Sequence, residues 1–154
     1  MADRVNIAYV SWPNHIYTSD VVWYITMKSE DTLSIEPINA DGVEMEEIPN
    51  TEGIFIQWLI ADKEDSKRIH LRRFTLKPGA KMPYHVHDNC EHLQYYLKGK
   101  AKVRLGEHEK YLGAGDALFI PSGVPHLYEN IGEEDLQFLC IVPAIEIETT
   151  FIPE

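Results

Sequence analysis

The chain has 154 residues, 44% of them hydrophobic, and its 25 acidic and 14 basic residues give a formal net charge of −11. This length and composition fit one globular domain and exclude a disordered or fibrous chain. The negative charge would repel phosphate backbones and anionic headgroups, so we expect neither nucleic acid nor a membrane surface as a partner.

The start of the chain, "MADRVNIAYVSWPNH", lacks the basic residues and the apolar run of a signal peptide, and no apolar stretch reaches membrane-spanning length. We therefore expect a soluble, cytoplasmic protein. In reducing cytosol, the two cysteines, Cys90 and Cys140, should remain thiols.

The first fifty residues have no regular pattern. "TSDVVWYITM" (18–27) fits a strand or a short helix equally well, and "VEMEEI" (43–48) alternates like an edge strand. No Ser/Gly-rich linker follows. We expect residues 1–50 to be an N-terminal extension that packs on a single domain over residues 51–154.

From Ile54 onward, short β-branched or aromatic runs are separated by Gly, Pro and Asp, a pattern typical of an all-β sandwich or barrel. Tight reversals are predicted at "KPGAK" and "GAGD". The predicted strands cover residues 54–60, 69–76, 82–87, 93–99, 101–106, 109–113, 117–121, 125–130 and 136–143.

The stretch "HVHDNCEH" places three histidines and a cysteine within residues 85–92. On a β-strand, His85 and His87 point to the same face about 6.6 Å apart, so both imidazoles can converge on one ion. A His-x-His pair on a strand is also common as two solvated histidines. Ligand number and geometry must decide between the two readings.

Two blocks around these histidines have fixed spacings. Five residues lie between Gly79 and His85, four between His87 and His92, and six between His92 and Gly99. The second block is Gly115, Pro121, Gly123, His126 and Asn130. The blocks resemble the two motifs of the cupin superfamily, G-x5-H-x-H-x3,4-E-x6-G over residues 79–99 and G-x5-P-x-G-x2-H-x3-N over residues 115–130.

The first block departs from the motif at one position, because His92 stands where most cupins carry a glutamate. Glu91 fits the shorter variant of the spacing, and its face of the strand is the more apolar one. A shift of one residue exchanges the two faces. We choose His92 as the inward residue, since an extension or a second subunit can cover an apolar outer face, and keep Glu91 as the alternative.

The resemblance to small cupins with four histidine ligands implies a double-stranded β-barrel of the jelly-roll type holding one divalent transition metal at His85, His87, His92 and His126. The ion could be iron, manganese, nickel, copper or zinc, although manganese generally prefers oxygen ligands. Cys90 is an alternative ligand that lies outside the motif spacing. His15, His70 and His108 match no motif position, and we expect them to be solvated or structural.

Strand alternation also predicts what lines the pocket. If His92 and His126 face inward, so should Gln94, Tyr96 and Tyr128, where Gln94 and Tyr96 are candidate catalytic residues and each tyrosine could equally be a core residue. Phe138 and Cys140 share one face of the last strand. One of the adjacent Arg72 and Arg73 should point inward, where it could pair with a substrate carboxylate, and the sequence does not say which.

Three functions fit these residues. The resemblance favours a dioxygenase or related oxidoreductase acting on a small molecule that chelates the metal through oxygen. Four neutral imidazoles leave the full charge on the metal, which favours the redox-neutral Lewis-acid chemistry of a lyase or isomerase. A non-catalytic binding protein is the third. The apolar outer face of residues 93–99 and the N-terminal extension suggest a homodimer.

Overall fold

The structure, a computed structural model, describes residues 36–153. Eleven strands and two short 3-10 helices, Ala40–Gly42 and Asp62–Glu64, make up its regular elements. The strands are β1 (Glu46–Glu47), β2 (Ile54–Ile60), β3 (Ile69–Leu76), β4 (His85–Val86), β5 (His92–Lys98), β6 (Lys100–Leu105), β7 (His108–Gly113), β8 (Ala117–Ile120), β9 (His126–Asn130), β10 (Leu136–Pro143) and β11 (Thr150–Phe151).

The strands form two antiparallel sheets. The six-stranded sheet has the order β1-β2-β3-β10-β5-β8, and the five-stranded sheet has the order β11-β4-β9-β6-β7. This arrangement confirms the predicted all-β, double-stranded barrel. Within the described residues, no helix is long and apolar enough to cross a membrane.

Inward and outward residues alternate along the central strands, as the sequence pattern predicts. In β10, the residues at 136, 138, 140 and 142 are buried and those between them are partly exposed. In β5, His92, Gln94 and Tyr96 are buried, whereas Leu93 and Tyr95 are exposed. The apolar side of β5 is therefore the outer face of the barrel.

An aromatic cluster around Phe138 joins the two sheets. Its ring stacks on Phe74 of β3 at 5.2 Å and on Tyr96 of β5 at 5.1 Å between ring centroids. Tyr128, on β9 of the other sheet, stacks at 5.3 Å. Burying these rings contributes a large share of the hydrophobic stabilisation of the barrel.

One glycine and one asparagine of the two spaced blocks have structural roles. Gly99 has φ +82°, and a Cβ there would lie 2.6 Å from Cα of Leu136. The Asn130 side chain donates to the carbonyl oxygens of Leu76 and Glu134 at 2.9 and 2.8 Å. It thereby fastens the end of β9 to two other segments.

Two predicted strands are shorter than expected. The strand predicted over residues 82–87 is reduced to His85–Val86, because Pro83 has no N–H for a ladder hydrogen bond. The edge strand predicted over residues 43–48 is reduced to Glu46–Glu47, which pairs with β2. Of the predicted N-terminal extension, only residues 36–50 are among those described, and residues 18–27 lie outside them.

Candidate metal centre

Three of the four histidines of the two blocks open strands, and the fourth directly follows one. His85 opens β4 and His126 opens β9, and the two are direct partners in the antiparallel ladder. His87 follows β4 immediately, and His92 opens β5. All four side chains are buried.

Three of these imidazoles form a tight cluster. One ring nitrogen from each of His85, His87 and His126 lies within 4.8 Å of the others. Their ring centroids are 4.3 to 5.4 Å apart. Three converging imidazoles are a suitable donor set for a first-row divalent metal.

Backbone carbonyls fix the orientation of these three rings. The Nδ1 atoms of His85, His87 and His126 lie 2.7, 2.9 and 2.8 Å from the carbonyl oxygens of Pro83, Glu148 and Val124, respectively. A carbonyl only accepts, so each Nδ1 carries the proton and each Nε2 carries the lone pair. This is the tautomer that a metal ligand requires, and a carbonyl is a common partner for the other nitrogen.

His92 lies beside this cluster without belonging to it. Its ring centroid is 5.1 Å from that of His87 and 5.0 Å from that of His126. The Nε2 atoms of His92 and His126 are buried and have no hydrogen-bond partner among the described residues. Buried polar nitrogens are normally satisfied, so the two orphaned atoms indicate a missing ligand. The geometry establishes a three-histidine cluster, and the fourth ligand stays a prediction.

The alternative ligands do not reach the cluster. Glu91 is exposed, because its side chain points to the outer face of the sheet. Cys90 is buried in the hydrophobic core, where its thiol contacts the carbonyl oxygen of Glu91 at 3.4 Å. His70 is buried against the ring of Trp58, and His108 is exposed. His15 lies outside the described residues.

Burial keeps the imidazoles neutral. Desolvation lowers the pKa of His92 to about 2 and that of His126 to about 3, with repulsion from neighbouring imidazoles adding to the effect. The pKa values of His85 and His87 are lowered for the same main reason. Metal binding requires neutral imidazole, so the site is ready to bind at neutral pH without releasing protons from these groups.

A cavity of about 600 Å³ opens over the histidines. It is large enough for a small organic molecule. Its wall includes the apolar residues Phe74, Met82 and Phe138, the histidines, the polar residues Arg72, Gln94, Tyr128 and Cys140, and the acidic residues Glu46 and Glu47. A neighbouring cavity of about 720 Å³ shares Arg72, His87 and Thr149 with it.

The two adjacent arginines lie on opposite faces of β3. Arg72 is buried between the rings of Trp58 and Phe74, which lie 5.4 and 5.2 Å from its guanidinium carbon. Among the described residues, no carboxylate lies within ion-pair distance of it. Arg73 faces outward, where it donates to Gln57 at 2.7 Å and pairs with Asp41 at 3.1 Å. Arg72 is thus a pocket residue, and the pocket assignment of Arg73 is not supported.

The polar residues expected in the pocket form a chain of hydrogen bonds. Gln94 donates from Nε2 to the Tyr128 hydroxyl at 2.6 Å, and its Oε1 accepts from the Tyr96 hydroxyl at 3.1 Å. Burial raises the pKa of both tyrosines, so both hydroxyls stay protonated. Gln94 and Tyr128 line the cavity, whereas Tyr96 lies fully buried behind Gln94. Direct contact of Tyr96 with a substrate is therefore not supported.

Sequence reasoning missed the carbonyl groups that orient the histidines. For His85 and His126 a local signal exists, since each acceptor lies two residues before its histidine. For His87 there is none, because Glu148 is 61 residues away and lies in the segment between β10 and β11, where β11 pairs with β4.

Comparison with known proteins gives matches over the same region. Residues 72–142 match the family model described as Cupin domain. The chain is 37% identical over 79 residues to the oxalate decarboxylase OxdC of Bacillus subtilis, covering 48% of this chain and 20% of that protein. It is 33% identical over 70 residues to an oxalate-binding protein of Thermotoga maritima, covering 46% of this chain and 58% of that one.

Among solved structures, the polyketide cyclase RemF from Streptomyces resistomycificus has a TM-score of 0.70 at 25% identity, covering 78% of this chain and 88% of that chain. The chain spans less than two thirds of both curated relatives. The family match covers just under half of the chain, and the histidine cluster lies within the matched residues.

Proposed function

We propose that this chain is a mononuclear metal-dependent cupin enzyme that acts on a small anionic molecule able to chelate the metal through oxygen atoms. One observation carries the proposal. The Nδ1 atoms of His85, His87 and His126 are all bound to backbone carbonyls, which leaves the three Nε2 lone pairs available, and one ring nitrogen of each histidine lies within 4.8 Å of the others.

We include His92 in the ligand set. Its Nε2 is buried without a partner among the described residues, and its ring adjoins two members of the cluster. A set of four neutral imidazoles suits iron, nickel, copper or zinc, and manganese is the less favoured choice. A divalent metal bound there would supply Lewis acidity and open positions for oxygen ligands.

Arg72 defines the charge of the substrate. It is a buried cation without an acidic partner among the described residues, and it lines the same cavity as the histidines. A substrate carboxylate would restore charge balance, and the planar guanidinium can bind it through two hydrogen bonds. Gln94 on β5 and Tyr128 on β9, which belong to different sheets, would orient the rest of the substrate.

For the reaction class, redox-neutral chemistry is our first choice and a dioxygenase reaction the second. The neutral ligand set leaves the positive charge of the metal undiminished, which favours polarising a carbonyl or enolate oxygen. Two of the similar proteins bear the names oxalate decarboxylase and polyketide cyclase. The apolar wall of Phe74, Met82 and Phe138 supports the second choice, because it offers a water-poor space for dioxygen. A binding role without turnover is the third.

The test compares the two arginines. Metal-loaded wild type, Arg72→Met and the matched control Arg73→Met would be titrated with oxalate and other small carboxylates by calorimetry. We expect Arg72→Met to lose at least tenfold in affinity while Arg73→Met stays within twofold of wild type. Equal affinities in all three proteins would contradict the proposed substrate class.

Turnover assays then separate the reaction classes. Carboxylates, diketones and enediols would be incubated with the metal-loaded protein with and without air. Turnover without oxygen supports the redox-neutral reaction, and oxygen uptake coupled to substrate loss supports the dioxygenase. Binding without turnover, both with and without air, would support a non-catalytic binding role.

We also propose that the chain forms a homodimer. Leu93, Tyr95 and Phe119 are 51, 49 and 51% exposed and adjoin one another on the outer face of β5 and β8. Such a patch of large apolar residues is typical of an interface. In analytical ultracentrifugation, wild type should sediment as a dimer and Leu93→Glu as a monomer. A monomeric wild type would contradict the proposal.

A further inference from the structure

The nitrogen facing away from the cluster is held differently in His92 than in the other three histidines. In His85, His87 and His126 this nitrogen meets a backbone carbonyl. In His92 it meets the sulfur of Cys140 at 3.4 Å. A carbonyl only accepts a hydrogen bond, whereas a thiol can donate one or accept one.

The direction of this hydrogen bond decides whether His92 can bind a metal. If the sulfur accepts, Nδ1 carries the proton and Nε2 presents its lone pair to the cluster. If the thiol donates, the neutral imidazole carries its proton on Nε2 and cannot ligate. Among the described residues, Nδ1 of His92 has no other hydrogen-bond partner, so the side chain at position 140 determines the tautomer.

The surroundings of Cys140 favour the accepting role. Cys140 is the direct ladder partner of Arg72 on one side and of Gln94 on the other, so the three side chains form a row across β3, β10 and β5. Nη2 of Arg72 donates to the sulfur at 3.4 Å, and an arginine can only donate. The sulfur therefore already accepts one hydrogen bond in this row, and accepting a second one from His92 keeps the proton of that ring on Nδ1.

We propose that Cys140 is a positioning residue that sets the tautomer of His92 and thereby adds a fourth nitrogen ligand to the three-histidine cluster. This inference depends on the proposed metal-binding function. The centre is then a three-plus-one site, in which three ligands are fixed by the main chain and the fourth depends on one side chain. Substitution of Cys140 by a residue that cannot accept a hydrogen bond would convert it to a three-histidine site.

The first readout needs no metal. Long-range ¹H–¹⁵N NMR of the metal-free protein reports which ring nitrogen of each histidine carries the proton. We expect the Nδ1–H tautomer for His92 in wild type and in Cys140→Ser, whose hydroxyl can also accept. In Cys140→Ala, His92 should shift to the Nε2–H tautomer while the other three histidines stay unchanged.

The second readout is the ligand count of the metal. Proteins loaded with Cu²⁺ would be compared by pulsed electron paramagnetic resonance, which counts coupled imidazoles, and by chelator competition. We expect four imidazoles in wild type and Cys140→Ser, and three in Cys140→Ala with about tenfold weaker binding, the usual scale for loss of a group that orients a ligand. Cys90→Ala removes the other buried thiol and should match wild type. Cys140→Val, which fills the space without an acceptor, serves if the alanine variant does not fold.

The outcomes separate the two proposals. If His92 keeps the Nδ1–H tautomer and wild-type copper affinity in both Cys140→Ala and Cys140→Val, the role of Cys140 is wrong and the metal site stands. If wild type binds no metal, the proposed function and this inference both fail.

Discussion

Nδ1 of His87 lies 2.9 Å from the backbone carbonyl oxygen of Glu148, 61 residues later in the chain. A segment near the end of the described chain therefore fixes one ligand of the three-histidine cluster. Asn89 holds that segment in place, since its Nδ2 donates to the Glu146 carbonyl at 2.9 Å and its Oδ1 accepts from the Glu148 N–H at 3.1 Å.

The first prediction concerns Asn89→Ala. Loss of both hydrogen bonds should loosen the segment that carries the acceptor for His87, and we expect about tenfold weaker metal binding, the scale seen when a ligand-orienting group is lost. Chelator competition measures it. Thr149→Val is the matched control: its hydroxyl lies 3.2 Å from the same nitrogen, but the Glu148 carbonyl remains. Equal affinities for Asn89→Ala and wild type would show that the segment does not orient His87.

Two glycines with similar backbone angles should differ in their tolerance of a side chain. Both Gly99 and Gly79 have positive φ, +82° and +78°, but an added Cβ meets Leu136 at 2.6 Å only in the first case. We expect Gly79→Ala to cost about 1 kcal/mol of conformational strain and Gly99→Ala about 3 kcal/mol or more. Urea denaturation gives both values, and equal losses would contradict the predicted clash.

The hydroxyl of Tyr96 should stabilise the fold without contributing to metal binding. Tyr96→Phe leaves Oε1 of Gln94 without its donor, so we expect a loss of about 1 to 2 kcal/mol in the free energy of unfolding with unchanged metal content. Tyr95→Phe, one residue away on the outer face, should change the free energy by less than about 0.5 kcal/mol. A metal-deficient Tyr96→Phe protein would show that Tyr96 acts on the site itself.

The metal-free protein should lose stability as the pH falls below about 6.5. Unfolded histidines take up protons there, whereas the lowered pKa values of about 2 for His92 and about 3 for His126 keep the folded forms neutral. The unfolded state then binds more protons, so the free energy of unfolding decreases by about 1 kcal/mol per pH unit for each such histidine. Denaturation between pH 7 and pH 5.5 should show a shallower slope for His92→Leu than for wild type. Equal slopes in the two proteins would contradict the assignment.

Much of the fold was predictable because strand pattern and turn residues agree. The strands at 54–60, 69–76 and 136–143 have the predicted bounds, since each is a run of β-branched or aromatic residues between clear breaks. The strand at 82–87 was overextended, because the pattern alone did not account for the missing N–H of Pro83. The short strand Thr150–Phe151 was not predicted, since it exists only through pairing with β4.

In the site, the spacing predicted the three histidines that cluster, whereas it did not predict the groups that orient their rings. The choice of His92 over Glu91 depended on which face of β5 is buried, and the burial pattern places His92 inward. The sequence could not predict which of Arg72 and Arg73 faces inward. Two adjacent residues of a strand point to opposite faces, and the inner face is fixed only once the register with β10 is known. The sequence also did not predict the partners of the histidine Nδ1 atoms that come from tertiary contacts, such as the sulfur of Cys140 beside His92.

The most direct test of a metal centre is elemental analysis of the untagged protein, purified without chelators, beside a His126→Ala variant. His126 has a buried Nε2 without a partner among the described residues and belongs to the three-histidine cluster. We predict near-stoichiometric transition metal in wild type and loss of the metal in a variant that keeps its β-sheet circular dichroism. A wild type that binds no added divalent metal, or a variant that retains a full complement, would contradict the account.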